Sequence, residues 1–385
     1  MRIKIENKRN KTENVINIKS EAIPMTQLYQ KIIKPYFFKQ DPEKVHNNIT
    51  RLGKLLGKHA LTRSIIRAQF HFEHPSLHTT VAGIEFKNPL GLAAGFDKNA
   101  QLYDILPEIG FGFAELGSIT GKACAGNPQP RLFRVPKEKS IIVNYGLMNN
   151  GCQEISQRLK DKTFRIPIGL SVAKTNDPKL DTIAGIKDYV IAYHHMHPLG
   201  SYTTINVSCP NTVDGQTFGH PQNLKLLLNA LSQESHEKPV FIKIKPDFTE
   251  PQLLEIIKIT NEHDWITGFI ISNLTTHRDG LNTSKSELDA LSIKGGLSGL
   301  PTQKRSLEAI RFVHKHSKKI IIGCGGIFTG QDAIDKLKAG ASLLQLVTAM
   351  IYEGPGVIAK IKREMVDIMQ KENILNIDML KRKYH

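Results

Sequence analysis

From residue 81 onward, short apolar runs alternate with longer stretches in which apolar residues recur at helical spacing. The runs cover 89–94, 112–116, 167–172, 203–207, 240–244, 268–272, 319–323 and 342–347, and each leads into polar residues or glycine. Short runs of this kind suit strands buried on both faces of a parallel sheet. Eight strand–helix units in about 280 residues predict an α/β fold, a closed (β/α)8 TIM barrel. An open doubly wound sheet is the competing arrangement. Its dinucleotide turn needs G-x-G-x-x-G after the first strand, and Gly91-Leu92-Ala93-Ala94-Gly95 does not supply it.

Ahead of the barrel the period changes. Leu28, Ile32 and Tyr36 recur at helical spacing, and Pro35 limits that helix. Asp41-Pro42-Glu43 is a helix start, with Asp41 as cap and Pro42 in the first turn. Val45, Ile49, Leu52 and Leu56 form its apolar stripe, flanked by Lys44, Arg51, Lys54 and Lys58, and a third short helix is expected over 61–70. Residues 25–80 therefore read as an N-terminal helical extension. It either packs on the barrel like any helix or lies as a basic amphipathic hairpin on a membrane surface. Residues 1–24 show no sustained period and are expected to be disordered, with Met25 an alternative start. The barrel is assigned to 81–370, and the basic tail 371–385 is either a last helix or a frayed end.

Composition changes this picture little. Hydrophobic residues at 40% and charged residues at 23% are an ordinary globular balance. No apolar stretch is long enough to span a bilayer, and the polar first 24 residues do not resemble a secretory signal. Cys124, Cys152, Cys209 and Cys324 are scattered without CxxC spacing, which argues against a zinc site or a disulfide framework and fits a reducing cytosol. A formal net charge of +16 favours anionic partners, whether phosphate ligands, nucleic acid or an acidic membrane, without choosing among them.

In a barrel the chemistry sits at the carboxyl ends of the strands. Those ends carry Ala94, Gly95 and Lys98; Ser118; Ser171; Asn206, Cys209 and Asn211; Lys243; Ser272 and Asn273; Gly323 to Gly326; and Val347 and Thr348. Insertions add Asn144, Asn149, Asn150 and the segment 295–299. Glycines and a hydroxyl near the last two strands suit a phosphate, because backbone N–H groups can approach its oxygens. Asparagine both donates and accepts, so several together can grip the edge of a cyclic imide, and Lys98 can pair with a carboxylate. Lys243 lies within a strand, and an inward lysine needs an electron-rich partner such as a flavin. A free thiol titrates near about 8.5 and responds strongly to its surroundings, which makes Cys209 a candidate base near neutrality.

These residues resemble the dihydroorotate dehydrogenases. The motifs are Asn-Val-Ser-Cys-Pro-Asn-Thr (206–212), Gly-Leu-Ala-Ala-Gly-Phe-Asp-Lys (91–98), Pro-Arg-Leu-Phe-Arg (130–134), Gly-Gly-Leu-Ser-Gly (295–299) and Gly-Cys-Gly-Gly-Ile (323–327). Asp-Pro-Glu-Lys-Val-His (41–46) is similar to the extension of the class 2, membrane-associated, quinone-using branch. The resemblance implies FMN at the barrel mouth and oxidation of dihydroorotate to orotate in pyrimidine synthesis. It implies Cys209 as base and Lys98, Asn144, Asn206, Asn211 and Asn273 as substrate contacts, with Gly146 and Leu147 in the substrate loop. Either Leu274 or Thr275 follows, and Thr275 is taken as a substrate contact. Ala94, Gly95, Ser118, Ser171, Asn206, Lys243, Ser272, Gly299, Gly326, Val347 and Thr348 are implied FMN contacts. His46 and Arg134 are implied on the quinone route. The protein is expected at the cytoplasmic face of the cell membrane, peripherally bound, with no nucleic-acid partner.

The chain departs from the class 2 pattern in four places. A class 1-like Cys stands where class 2 has Ser, the loop 143–151 is one residue shorter, Ser272-Asn273-Leu274-Thr275-Thr276 interrupts the usual Thr-Asn-Thr-Thr, and Val347 replaces a usual Tyr. The alternatives are the same oxidation with fumarate or another soluble acceptor, an FMN barrel acting on tRNA uridine, and a flavoprotein that stores or senses redox state.

Overall fold

The computed structural model describes residues 25–211, 218–284, 287 and 294–385, with only the backbone of Met25 and Thr26. The disorder expected of residues 1–24, and Thr212 of the cysteine motif, lie outside the described residues.

Eight strands close into a barrel in chain order. They are β1 (Leu90–Leu92), β2 (Phe113–Thr120), β3 (Ile168–Ala173), β4 (Tyr202–Asn206), β5 (Val240–Ile244), β6 (Ile266–Ile271), β7 (Ile320–Cys324) and β8 (Leu343–Leu346). Each falls on one of the apolar runs. Seven of the eight neighbouring pairs follow chain order and β8 meets β1 to close the barrel, so every strand pairs in parallel with two neighbours. All eight residues of β2 are buried, which is why these strands carry no polar alternation toward solvent.

The alternation that does exist separates the barrel interior from the helix-facing side. Phe113, Tyr202, Phe241, Ile270, Ile322 and Leu343 fill the lower interior. The antiparallel hairpin of Thr79–Val81 and Ile84–Phe86 closes that end, and Phe86 meets Phe113 edge-on at 5.3 Å. Each such fully buried large apolar side chain contributes roughly 1.5–3 kcal/mol. Two residues further along the strands the interior turns polar, with Glu115, Thr204, Lys243 and Gln345. Above that layer lies the cavity described below.

The extension comprises α1 (residues 25–38, with a π turn at Tyr29–Ile33), α2 (Pro42–Lys58) and α3 (Ala60–Phe70). Asp41 caps α2 as its sequence predicts, Oδ1 accepting from the Lys44 N–H at 2.8 Å. The helix turns its small residues inward: a Cβ at Gly53 would meet Leu102 at 2.9 Å, and one at Gly57 would meet Asp104 at 3.0 Å. That close approach corrects the apolar stripe. Leu52 is 48% exposed, whereas Leu56 packs on the core. A three-stranded sheet of Leu132–Val135, Ser140–Val143 and Gly296–Leu297 joins the extension in roofing the barrel mouth. The basic tail is a helix, Ile377–Tyr384, capped by Asn376 and anchored by buried Ile377 and Leu380.

Candidate active site

A cavity of about 1250 Å³, mouth included, opens at the carboxyl ends of the barrel strands. Asn206 stands at the end of β4. Its amide nitrogen donates to Ser118 Oγ at 2.9 Å, and its Oδ1 accepts from Asn273 Nδ2 at 3.1 Å. Asn273 also donates to Ser208 Oγ at 3.2 Å. Strands β2, β4 and β6 thus present one linked polar shelf. Three buried atoms of the wall residues have no partner among the described residues: Asn211 Oδ1, Ser272 Oγ and Tyr145 Oη. Buried polar atoms are rarely left unpaired, so these suit a polar ligand.

Lys98 follows β1. Asp97 fixes its loop by accepting the N–H groups of Gln101 and Leu102, both as close as 2.7 Å. The Lys98 ammonium lies 3.8 Å from the Tyr145 ring centre and 3.2 Å from His46 Nε2. Burial lowers Lys98 to about 7, against the pull of Glu43 and Asp97. Burial and the neighbouring Lys98 hold His46 well below its ordinary range. The pair therefore reads as a lysine N–H donating to a neutral imidazole.

Cys209 lines the same cavity. Burial pushes its thiol up to about 11, although the Asn211 backbone and Lys243 pull the other way. This corrects the expectation of a base poised near neutrality: in the ligand-free protein Cys209 is a thiol. Lys243 has a partner within the protein, Glu115, at 3.5 Å. Glu115 also accepts from Thr204 at 2.9 Å, Gln345 at 2.9 Å and Tyr202 at 3.4 Å. The sequence predicts a flavin beside Lys243, and no local pattern marks Glu115 or Gln345.

Most expected site residues share this wall: His46, Ala94, Gly95, Lys98, Ser118, Gly146, Leu147, Asn206, Cys209, Asn211, Lys243, Ser272, Asn273, Gly299, Gly326, Val347 and Thr348. Four are placed elsewhere. Ser171 lies behind the wall, its Oγ 2.8 Å from Ser118 Oγ. Asn144 turns its Oδ1 to Asn127 at 2.9 Å. Thr275 gives its hydroxyl to Asp247 at 2.5 Å and pairs its backbone with Leu297, so Leu274 takes its place in the wall. Arg134 donates to the Gln40 carbonyl at 2.8 Å and lies over Phe38, tying the roof sheet to the end of α1 and the connector that follows it.

The residues fit a flavin. Gly95 has φ +106° and no atom within 4 Å of where a Cβ would sit, so its backbone faces open cavity. Gly326 has φ +69°, and a Cβ there would lie 2.4 Å from that of Gln303, so only glycine suits the turn. Beside it, Ser298 and Thr348 hydroxyls meet at 2.7 Å. These are the groups a phosphate needs at the last two strands of a barrel.

The sequence profile of the family described as dihydroorotate dehydrogenase matches residues 76–369. The chain belongs to the dihydroorotate dehydrogenase family. It is 39% identical over 351 residues to the dihydroorotate dehydrogenase (quinone) of Christiangramia forsetii, covering 88% of this chain and 99% of that one. It is 36% identical over 356 residues to the enzyme of the same name from a Synechococcus species, covering 87% and 93%. Among solved structures it is similar to the Eimeria tenella DHODH in complex with ferulenol, with a TM-score of 0.76, 27% identity and coverage of 92% and 97%. Dihydroorotate dehydrogenases are flavin-dependent oxidoreductases, and this chain is an enzyme of that kind. No helix among the described residues is long and apolar enough to cross a membrane.

Proposed function

We propose that the chain oxidises dihydroorotate to orotate through FMN, with a quinone as electron acceptor, in pyrimidine biosynthesis. The observation that carries this reading is one cavity that gathers Cys209, Lys98, Asn206, Asn211 and Asn273, with His46 of the extension against Lys98. The quinone designation of the relatives supports the acceptor despite the class 1-like cysteine.

Lys98 binds the substrate carboxylate, and the asparagines grip the ring amides with donors and acceptors matched to each edge. As its thiolate, Cys209 removes the proton at C5. FMN, when bound, supplies the acceptor for the hydride at C6, so that loss of proton and hydride leaves the C5–C6 double bond of orotate. Ala94, Gly95, Ser118, Lys243, Ser272 and Val347 would hold the flavin ring, and Gly299, Gly326 and Thr348 its phosphate. Ser171 supports Ser118. Leu132, Val347, Ile351 and Phe96 add apolar lining suited to a quinone, and Phe96 packs edge-on against His46 of the extension. Mass spectrometry of the flavin released on denaturation, with quinone-dependent turnover of dihydroorotate, tests the assignment. A flavin other than FMN, or no turnover, contradicts it.

The charge on Lys98 gives a pH dependence. Lysine is cationic below its pKa, so in the free enzyme the carboxylate anchor is present below about 7 and is lost as pH rises through that value. The KM for dihydroorotate is expected to climb above pH 7, toward about tenfold per unit. The limiting rate of flavin reduction should rise over the same range, because Cys209 loses its proton only near 11. Stopped-flow reduction from pH 6 to 10 checks both; a KM flat to pH 9 contradicts the Lys98 assignment.

We further propose that the extension binds the cytoplasmic face of the membrane peripherally. Leu52, Leu55, Leu61 and Ile65 are exposed on α2 and α3, with Arg51, Lys54 and Lys58 exposed on α2. Apolar side chains that insert while basic ones meet anionic headgroups are the requirement for surface binding. The double variant Leu55→Glu/Ile65→Glu is expected to bind anionic vesicles at least about tenfold more weakly. Turnover with a water-soluble quinone should be unchanged. Equal sedimentation with vesicles contradicts this reading.

A further inference from the structure

We infer that Asn127 is a positioning residue for the substrate, tying the backbone of Asn211 in the site to the Asn144 loop behind it through one amide group. The inference rests on the reading of the cavity as a dihydroorotate site. Asn127 Nδ2 donates to the Asn144 carbonyl at 3.1 Å, to Asn144 Oδ1 at 2.9 Å and to the Asn211 carbonyl at 3.0 Å. Its Oδ1 accepts from Asn176 Nδ2 at 3.0 Å. Its backbone N–H donates to the Tyr145 carbonyl at 3.0 Å. One side chain therefore joins the loop of Asn144 to that of Asn211, 84 positions from Asn127. A Cβ on Gly146 would lie 2.5 Å from Asn127 Oδ1, so the amide also supports the wall from behind.

Asn127 is itself fixed from the extension. Arg131 Nη1 donates to the carbonyls of Asn127 at 2.8 Å and Ala125 at 2.7 Å. Its Nε and Nη2 fork onto the Glu43 carboxylate of α2, the shortest bond 2.8 Å, with both side chains buried. A buried bidentate pair of this type constrains direction as well as distance. The path from α2 to the site is thus Glu43, Arg131, Asn127, then Asn211 in the wall and the Asn144 loop behind it. None of these links places Asn127 against the reacting atoms, so its effect should fall on binding rather than on proton transfer.

The test uses the full-length, flavin-loaded protein with Asn127→Ala and the near-isosteric Asn127→Asp, which loses the donor. Orotate affinity is read from the shift in flavin absorbance, and steady-state kinetics separate KM from kcat. Both variants are expected to raise the orotate Kd and the dihydroorotate KM by ~10-fold, with kcat at saturation, the quinone KM and flavin content near wild type. Glu43→Gln is expected to shift Kd the same way by less. Wild-type orotate affinity in Asn127→Asp, or a fall in kcat with unchanged KM, overturns the inference. If Asn127→Ala does not retain flavin, Asn127→Asp alone decides. If the wild-type protein itself shows no orotate shift, the substrate reading fails first and takes the inference with it.

Discussion

Replacing Cys209 by alanine is expected to abolish reduction of the flavin by dihydroorotate, by at least about a thousandfold, since a positioned general base contributes roughly 10²–10⁴. Cys209 is the group at the end of β4 able to take the proton, and it shares the cavity with Lys98, Asn211 and Asn273. Burial already holds its thiol near 11, so the reactive thiolate is a minor form at neutral pH. Serine in its place should keep a slower reaction displaced to higher pH, because a hydroxyl surrenders its proton less readily than a thiol. Flavin content and orotate affinity should survive both changes. Full activity in Cys209→Ala, measured by anaerobic stopped-flow, would refute the base assignment.

The second large effect lies beneath the cavity. Glu115→Ala removes the carboxylate that faces Lys243 and accepts from Thr204, Gln345 and Tyr202. Lys243 is then left as an unpaired buried cation, which typically costs about 3–5 kcal/mol. The variant should unfold several degrees lower and retain less flavin, because Lys243 is the residue proposed to reach it. Glu115→Gln should be milder, since it keeps an oxygen for Thr204 while losing the charge. Thermal unfolding and flavin stoichiometry measure both, and an unchanged Tm with full flavin in Glu115→Ala would contradict the role given to the pair.

The barrel was legible because each strand is buried on both faces, so its run of apolar residues stands out from the helices on either side. The same uniformity hid Glu115. In the segment Phe113-Ala-Glu-Leu a single carboxylate interrupts an apolar strand, and only the barrel's inward alternation places it opposite Lys243. The strand ends were legible because the fold restricts chemistry to them. What a local pattern could not show were the contacts of residues whose partners come from distant loops. Thr275 is claimed by Asp247, Asn144 by Asn127, and Arg134 by the α1–α2 connector, none of which a local pattern reveals. In α2, Gly53 and Gly57 let the backbone approach Leu102 and Asp104, which rotates Leu52 out of the stripe predicted for it. The tail became a helix through Asn376, a cap that a basic composition conceals.

One cavity is proposed to accept electrons from dihydroorotate and release them to a quinone. An anaerobic two-step flavin experiment separates these two half-reactions. Dihydroorotate is added to the oxidised protein, and after bleaching either a short-chain quinone or fumarate is added. Bleaching followed by rapid return of colour with quinone, and none with fumarate, is the predicted result. Failure of dihydroorotate to bleach the flavin, or recovery with fumarate alone, would contradict the account.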